Sequence, residues 1–152
     1  MANFHVENFR PKGYSGPCPR QAGASAVPFE LIVNLPNKPG VLAAAAGTIG
    51  KVNVNVRAFA AVASGKSDEV RFLVDDPDLA EKALKDGGYK FRRLEVLAVP
   101  ASNTPGELAA LSERLAKAGV NIDGGYLAAS AEGRLEMIFE VSDLARAQKA
   151  LK

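Results

Sequence analysis

Apolar residues along this chain follow two spacings, and the spacings alternate in the same order twice. Phe29-Glu30-Leu31-Ile32-Val33-Asn34-Leu35 has a period of two, with Phe29, Leu31, Val33 and Leu35 on one side, which predicts a strand. Pro36 and Pro39 end it, because proline has no ladder donor, and Pro39 suits the first turn of a helix. A helical stripe of Leu42, Ala45, Ile49 and Val52 then predicts a helix over about 39–51. Strand-type residues return from Asn53 to Val62, stop at Ser64-Gly65-Lys66-Ser67-Asp68, and resume over Glu69–Val74. Asp76-Pro77-Asp78 opens a second helix, with Leu79, Ala83 and Leu84 inward and Gly87-Gly88 closing it. Tyr89–Arg93 supplies a fourth strand. The order β-α-β-β-α-β is the split βαβ, or ferredoxin-like, arrangement.

The second half repeats the order from Glu95. A strand over Glu95–Val99 leads to a helix whose buried face is Leu108, Leu111 and Leu115. Thr104-Pro105-Gly106-Glu107 fits a capping box, with Thr104 and Glu107 exchanging hydrogen bonds to each other's backbone amides. Val120–Ala129 and Leu135–Val141 form a hairpin around Ala131-Glu132-Gly133, and a helix over about 142–151 ends the sequence. No fourth strand follows. The outer edge of this half's first strand is therefore expected to lack its usual cover, and an open edge is a pairing liability. Residues 1–28 have no counterpart in the repeat. Phe4-His5-Val6-Glu7-Asn8-Phe9 offers a covering strand, the loop residues around it offer a flexible leader, and a second chain is a third way to cover the edge.

The repetition extends to residue identities. Residues 37–56 lie over 103–122 without a gap and share nine of twenty positions: Asn37, Pro39, Gly40, Leu42, Ala43, Ala44, Lys51, Val54 and Asn55 meet Asn103, Pro105, Gly106, Leu108, Ala109, Ala110, Lys117, Val120 and Asn121. An internal repeat defines the structural unit before any residue is given a role. The expected domains are an extension over 1–28, one module over 29–93 and a second over 94–152. Each has antiparallel strands with helices on one face. A unit of about 65 residues is near the lower limit for an independent core, so the copies should bury apolar surface against each other.

Composition narrows the chemistry. The charge of +2, from 19 basic and 17 acidic residues, argues against a general polyanion or nucleic-acid binder. Tyr89, Lys90, Phe91, Arg92 and Arg93 interleave aromatic and basic residues, but no RNA-recognition signature accompanies them. His5 is the one histidine and Cys18 the one cysteine, which leaves no catalytic triad, disulfide framework or histidine-rich metal site. Asp75, Asp76 and Asp78 surround a helix start, where capping explains them. No apolar run reaches the roughly 18–20 residues of a membrane span, and no signal-peptide core is present, so the expectation is a soluble, cytoplasmic, non-catalytic protein without cofactor.

The repeated residues cluster at the strand-to-helix turns. Gly40 and Gly106 are placed in the first helical turn, where free amides and the helix dipole favour a carboxylate or phosphate. Eighteen residues after Asn37 stands Asn55, and eighteen after Asn103 stands Asn121. An asparagine amide both donates and accepts, so it can engage both ends of a zwitterion without adding charge. The alternative for each is a turn residue bonding its own backbone.

Asn-x-Pro-Gly-x-Leu, a helix, and then Val-Asn-Val or Val-Asn-Ile at the next strand resembles the ACT domain, a small regulatory module of amino-acid metabolism. The resemblance covers about 29–152 and is nearest to stand-alone proteins built from two such domains. It implies an amino acid bound where modules meet. In that arrangement Asn37 and Asn103 hold the ligand's polar ends. Lys38, Gly40, Val41 and Leu42, with Thr104, Gly106, Glu107 and Leu108, supply amides and contacts, and Asn55 and Asn121 complete the clamp. Serine-binding members carry a histidine two residues before the turn asparagine; this chain has Leu35 and Ala101 there. Glu107 replaces the apolar Val41, so the two turns are not equivalent.

The reading is therefore an amino-acid sensor, expected as a homodimer. Its alternative is a regulatory subunit of a biosynthetic enzyme similar to acetolactate synthase. A small enzyme such as an acylphosphatase is a weaker third reading, because no glycine-rich phosphate loop followed by an arginine is present.

Overall fold

The computed structural model describes residues 28–63, 67–129 and 135–152. The proposed strand at Phe4–Phe9, His5, Cys18 and the hairpin tip at Ala131–Gly133 lie outside the described residues. The elements are β1 (Phe29–Pro36), α1 (Val41–Lys51), β2 (Val56–Ala63), β3 (Ser67–Val74), α2 (Pro77–Asp86), β4 (Phe91–Glu95), β5 (Leu97–Ala101), α3 (Glu107–Lys117), β6 (Ile122–Ala129), β7 (Leu135–Val141) and α4 (Leu144–Ala150). They form an α+β fold with two antiparallel sheets, ordered β2-β3-β1-β4 and β5-β7-β6.

Alternation along β1 explains the layering. Leu31, Val33 and Leu35 join Phe72 and Val70 under Ala45 and Ile49 of α1 and Ala80 and Leu84 of α2. The second sheet repeats this, with Leu97, Val99, Met137 and Phe139 under Leu111 and Leu115 of α3 and Ala147 of α4. The opposite faces of the sheets meet. Leu73, Val96, Ala128 and Ile138 are buried between them, with Ala58, Leu94, Ala98 and Tyr126 alongside. Helices therefore lie outside and the sheets inside, so β1 is covered on both faces and Ile32 is fully buried.

The order of the elements follows the sequence pattern, but several boundaries and faces differ. Neither Pro39 nor Gly40 belongs to α1; Gly40 is its N-cap at φ 88°, a left-handed conformation that no helical turn contains. Asn53 has φ 60°, so β2 starts at Val56 rather than at Asn53. Likewise β6 starts at Ile122 rather than Val120, and β4 at Phe91 rather than Tyr89, because the Tyr89 amide still donates to Leu84 of α2. The strand expected from Glu95 begins at Leu97, since Glu95 still pairs with Phe29.

Leu42, Leu79 and Leu108 do not face the core: they are 38%, 39% and 57% exposed. The α1 stripe holds at Ala45, Ile49 and Val52, and only its first position differs, where Val41 rather than Leu42 packs on the core. The capping box is also absent. Glu107 is the first residue of α3, Gly106 is the N-cap without a side-chain bond, and the Glu107 carboxylate accepts from the Ser102 amide at 3.3 Å. In contrast, Asp76 and Asp143 cap α2 and α4, accepting from the Leu79 and Arg146 amides at 3.0 and 2.9 Å. Among the described residues β5 pairs only with β7, which leaves its other side without a neighbouring strand.

Candidate functional site

The two strand-to-helix turns have one conformation. Gly40 has φ 88° and ψ −15°; Gly106 has φ 92° and ψ −10°. In each, the residue after the glycine folds back onto the carbonyl three before it: Val41 N–H donates to Lys38 and Glu107 N–H to Thr104, both at 3.3 Å. The first bond spanning the helix start then comes from Ala44 to Gly40 and from Ala110 to Gly106. That pattern leaves the amides of Leu42, Ala43, Leu108 and Ala109 without a backbone acceptor among the described residues. A Cβ built on either glycine meets nothing within 4 Å, so the space over both turns is open.

Around these amides the side chains differ. Asn37, Lys38 and Leu42 are exposed at the first turn, and Asn103, Thr104 and Leu108 at the second. Lys38 brings positive charge to the first, while the second carries Glu107, tied to Ser102. Thr104 bonds the Ser102 hydroxyl at 3.3 Å and does not cap the helix.

Asn55 and Asn121 are held through their backbones. The Asn55 amide donates to the Asp75 carboxylate at 2.9 Å, and its carbonyl accepts from the Asp75 amide at 3.1 Å. Asn121 makes the same pair of bonds with Ser142, both at 3.0 Å, and its side chain donates to Asp123 at 2.6 Å. Within one half, however, turn and asparagine stand apart. Asn55 lies beyond the C-terminus of α1 and the turn before its N-terminus, and eleven residues of helix span about 16 Å. Register agrees: Pro36 pairs with Ser67 at one end of the first sheet, and Val56 with Val74 at the other. The expected clamp of Asn37 with Asn55, or Asn103 with Asn121, is not assembled inside one half.

The sheets are crossed so that the halves face opposite ways. Arg57, near the start of β2, pairs with Glu136 at 2.6 Å, and Glu136 lies opposite Pro100 near the end of β5. Arg71, farther toward the first turn, pairs with Glu140 at 2.5 Å, near the opposite end of the second sheet. The Asn55 end of the first half thus overlies the turn end of the second, and Asn121 falls toward the end that carries the first turn.

Between these ion pairs lies a buried polar cluster that strand alternation did not predict. Glu30 is 1% exposed, and its carboxylate accepts from the Tyr126 hydroxyl at 2.5 Å. Its other oxygen, Oε2, has no hydrogen-bond partner among the described residues, although Arg71 Nη1 is 3.5 Å away. Arg71 also binds Glu69 at 2.9 Å. Burial raises the pKa of Glu30, and the Tyr126 and Arg71 contacts offset this only in part. Tyr126 is pushed well above its ordinary value by burial and then by Glu30. For Arg71, burial opposes the charge, but Glu140 and Glu69 outweigh it and the pKa rises. Ile32, apolar on the face opposite Leu31, Val33 and Leu35, was the available signal that this face is covered.

Among the described residues no group of three His, Cys, Asp or Glu is arranged to hold a metal ion, and no helix is long and apolar enough to cross a membrane.

The fold is similar to that of protein BT0572 from Bacteroides thetaiotaomicron, at 28% identity and a TM-score of 0.76 over 83% of this chain and 88% of that one. It is also similar to the ligand-free regulatory subunit of aspartate kinase from Thermus thermophilus, at 18% identity and a TM-score of 0.59 over 84% and 90%. The corresponding subunit from Thermus flavus gives 18% and 0.56 over 83% and 92%. At these lower identities the likeness is one of fold. No curated protein sequence matches the chain. Residues 29–86, from β1 to the end of α2, match the ACT domain family.

Proposed function

We propose that this protein is a tandem pair of ACT modules, residues 29–93 and 94–152, that binds an amino acid and acts as a regulatory sensor rather than as an enzyme. The observation that carries this reading is the pair of matching turns. Each has a left-handed glycine, open space above it and two amides without a backbone acceptor at a helix start. Such amides suit the α-carboxylate of an amino acid. The family match over the first module supports a small-molecule ligand.

In this reading the pocket is shared between modules. Asn37 beside the first turn and Asn103 beside the second hold the ligand's polar groups. The opposed sheets bring Asn121 toward the first turn and Asn55 toward the second, so each asparagine serves the other module's turn. Exposed Leu42 and Leu108 beside the turns supply apolar contact, to the ligand or to a second copy of the chain. A homodimer would also cover the side of β5 that has no neighbouring strand among the described residues.

Melting the protein against each of the twenty amino acids tests the proposal. A ligand confined to the native state adds about 2.7 kcal/mol at a hundredfold excess over its dissociation constant. A selective rise in melting temperature that Asn37→Ala or Asn103→Ala abolishes is the expected result. A flat panel overturns it.

A second reading, as the regulatory subunit of a biosynthetic enzyme, draws on the fold shared with regulatory subunits of aspartate kinase. Affinity capture from a native extract separates the two. A stoichiometric biosynthetic enzyme, confirmed by reconstitution from purified components, favours the subunit; its repeated absence favours the free-standing sensor.

A further inference from the structure

We propose that Glu30 is a proton-operated latch between the two sheets, holding them more firmly when its carboxyl carries a proton. The inference is independent of any ligand at the turns. Its basis is a mismatch of charges and donors at the centre of the molecule. One guanidinium, Arg71, faces three carboxylates: Glu140 at 2.5 Å, Glu69 at 2.9 Å and Glu30 at 3.5 Å. Glu69 has partial relief from Arg92 at 3.4 Å, and Glu136 is occupied by Arg57. Glu30 has neither. It is the most buried of the set, and one of its oxygens has no hydrogen-bond donor among the described residues.

Five other strands bring charged or polar groups to this junction. From β3 come Arg71 and Glu69, from β4 Arg92, from β2 Arg57, from β6 the Tyr126 hydroxyl, and from β7 Glu140 and Glu136. Tyr126 is already donating to Oε1, and the nearest cation is hydrogen-bonded to Glu69 and Glu140. Ionised Glu30 therefore places negative charge in a buried contact with one hydrogen bond and a like-charged neighbour. The neutral acid removes both penalties while Tyr126 keeps its acceptor.

Glu30's raised pKa agrees in direction. A carboxyl that binds its proton more tightly when folded contributes stability that is fully present below its unfolded pKa and is lost as pH rises from there through its folded pKa. The groups joined here belong to β1 and β3 of one sheet and β6 and β7 of the other. The proton is therefore linked to the junction and not to either helical core.

Melting curves of the parent and Glu30→Gln across the pH range test this. The glutamine keeps the shape and is neutral throughout. The parent should lose stability relative to Glu30→Gln as pH rises above the ordinary carboxylate range. In the parent, the ¹³C shift of the Glu30 carboxyl should titrate above that range, and Tyr126→Phe should move it higher still. Parallel melting profiles, or a Glu30 carboxyl that titrates at an ordinary glutamate value, overturn the proposal. The carbon titration decides the matter alone if Glu30→Gln does not fold.

Discussion

The hydroxyl of Tyr126 donates to the carboxylate of Glu30 at 2.5 Å, across 96 residues of sequence and from one sheet to the other. Among the described residues it is the polar contact between the halves with the most buried member, and Tyr126 also packs against the cluster of Leu73, Val96, Ala128 and Ile138. The junction thus combines apolar area with one hydrogen bond whose acceptor cannot reach water.

Tyr126→Phe keeps the ring and removes the donor. Leaving a buried acceptor unsatisfied costs about 1–3 kcal/mol, and because that acceptor is Glu30, the loss should be larger at high pH than at low. Urea unfolding at two pH values measures it; equal losses at both would count against an ionised Glu30 as the acceptor.

At Gly40 and Gly106 the backbone, and not the space, forbids a side chain. Both have positive φ with nothing near a built Cβ. Gly40→Ala and Gly106→Ala should each destabilise by roughly 1–2 kcal/mol, the cost of a left-handed L-residue. Gly47, inside α1 and equally uncrowded, should do the reverse, with Gly47→Ala stabilising by about 0.5–1 kcal/mol. Thermal melting of the three variants tests both signs.

Two leucines of α3 should behave oppositely although the same periodicity marks both. Leu115 is 0% exposed and Leu108 57%. Leu115→Ala should cost about 2–5 kcal/mol, while Leu108→Ala should stay within about 0.5 kcal/mol in the unliganded protein. Denaturant midpoints distinguish them, and a large loss at Leu108 would show that it is covered in solution.

Asp76 and Asp143 cap the second helix of each half with the same bond, to the amide three residues on. Asp76→Ala and Asp143→Ala should each cost about 0.5–2 kcal/mol. Equal effects, read from chemical denaturation, would indicate that the two helices depend on their caps alike.

Sequence alone determined the order of elements, because that order depends on local patterns. Alternation in Phe29–Leu35, helical spacing in α2 and α3, Asp76-Pro77 at a helix start and glycine in each turn all act over a few residues. It also marked Asn37, Gly40, Asn55 and their counterparts, since a repeat is visible without coordinates. Tertiary structure decided what each face meets. Glu30 and Ile32 share a face of β1, and only the second sheet makes that face an interior. Leu42 and Leu108 carry the right spacing for a core, but each stands in the first turn of its helix and is exposed, while Ala45, Ile49, Leu111 and Leu115 on the same stripes are buried. Which turn lies near which asparagine depends on how the sheets cross. That crossing is set by contacts such as Arg57–Glu136 and Arg71–Glu140, between residues more than sixty positions apart, and no local pattern encodes it.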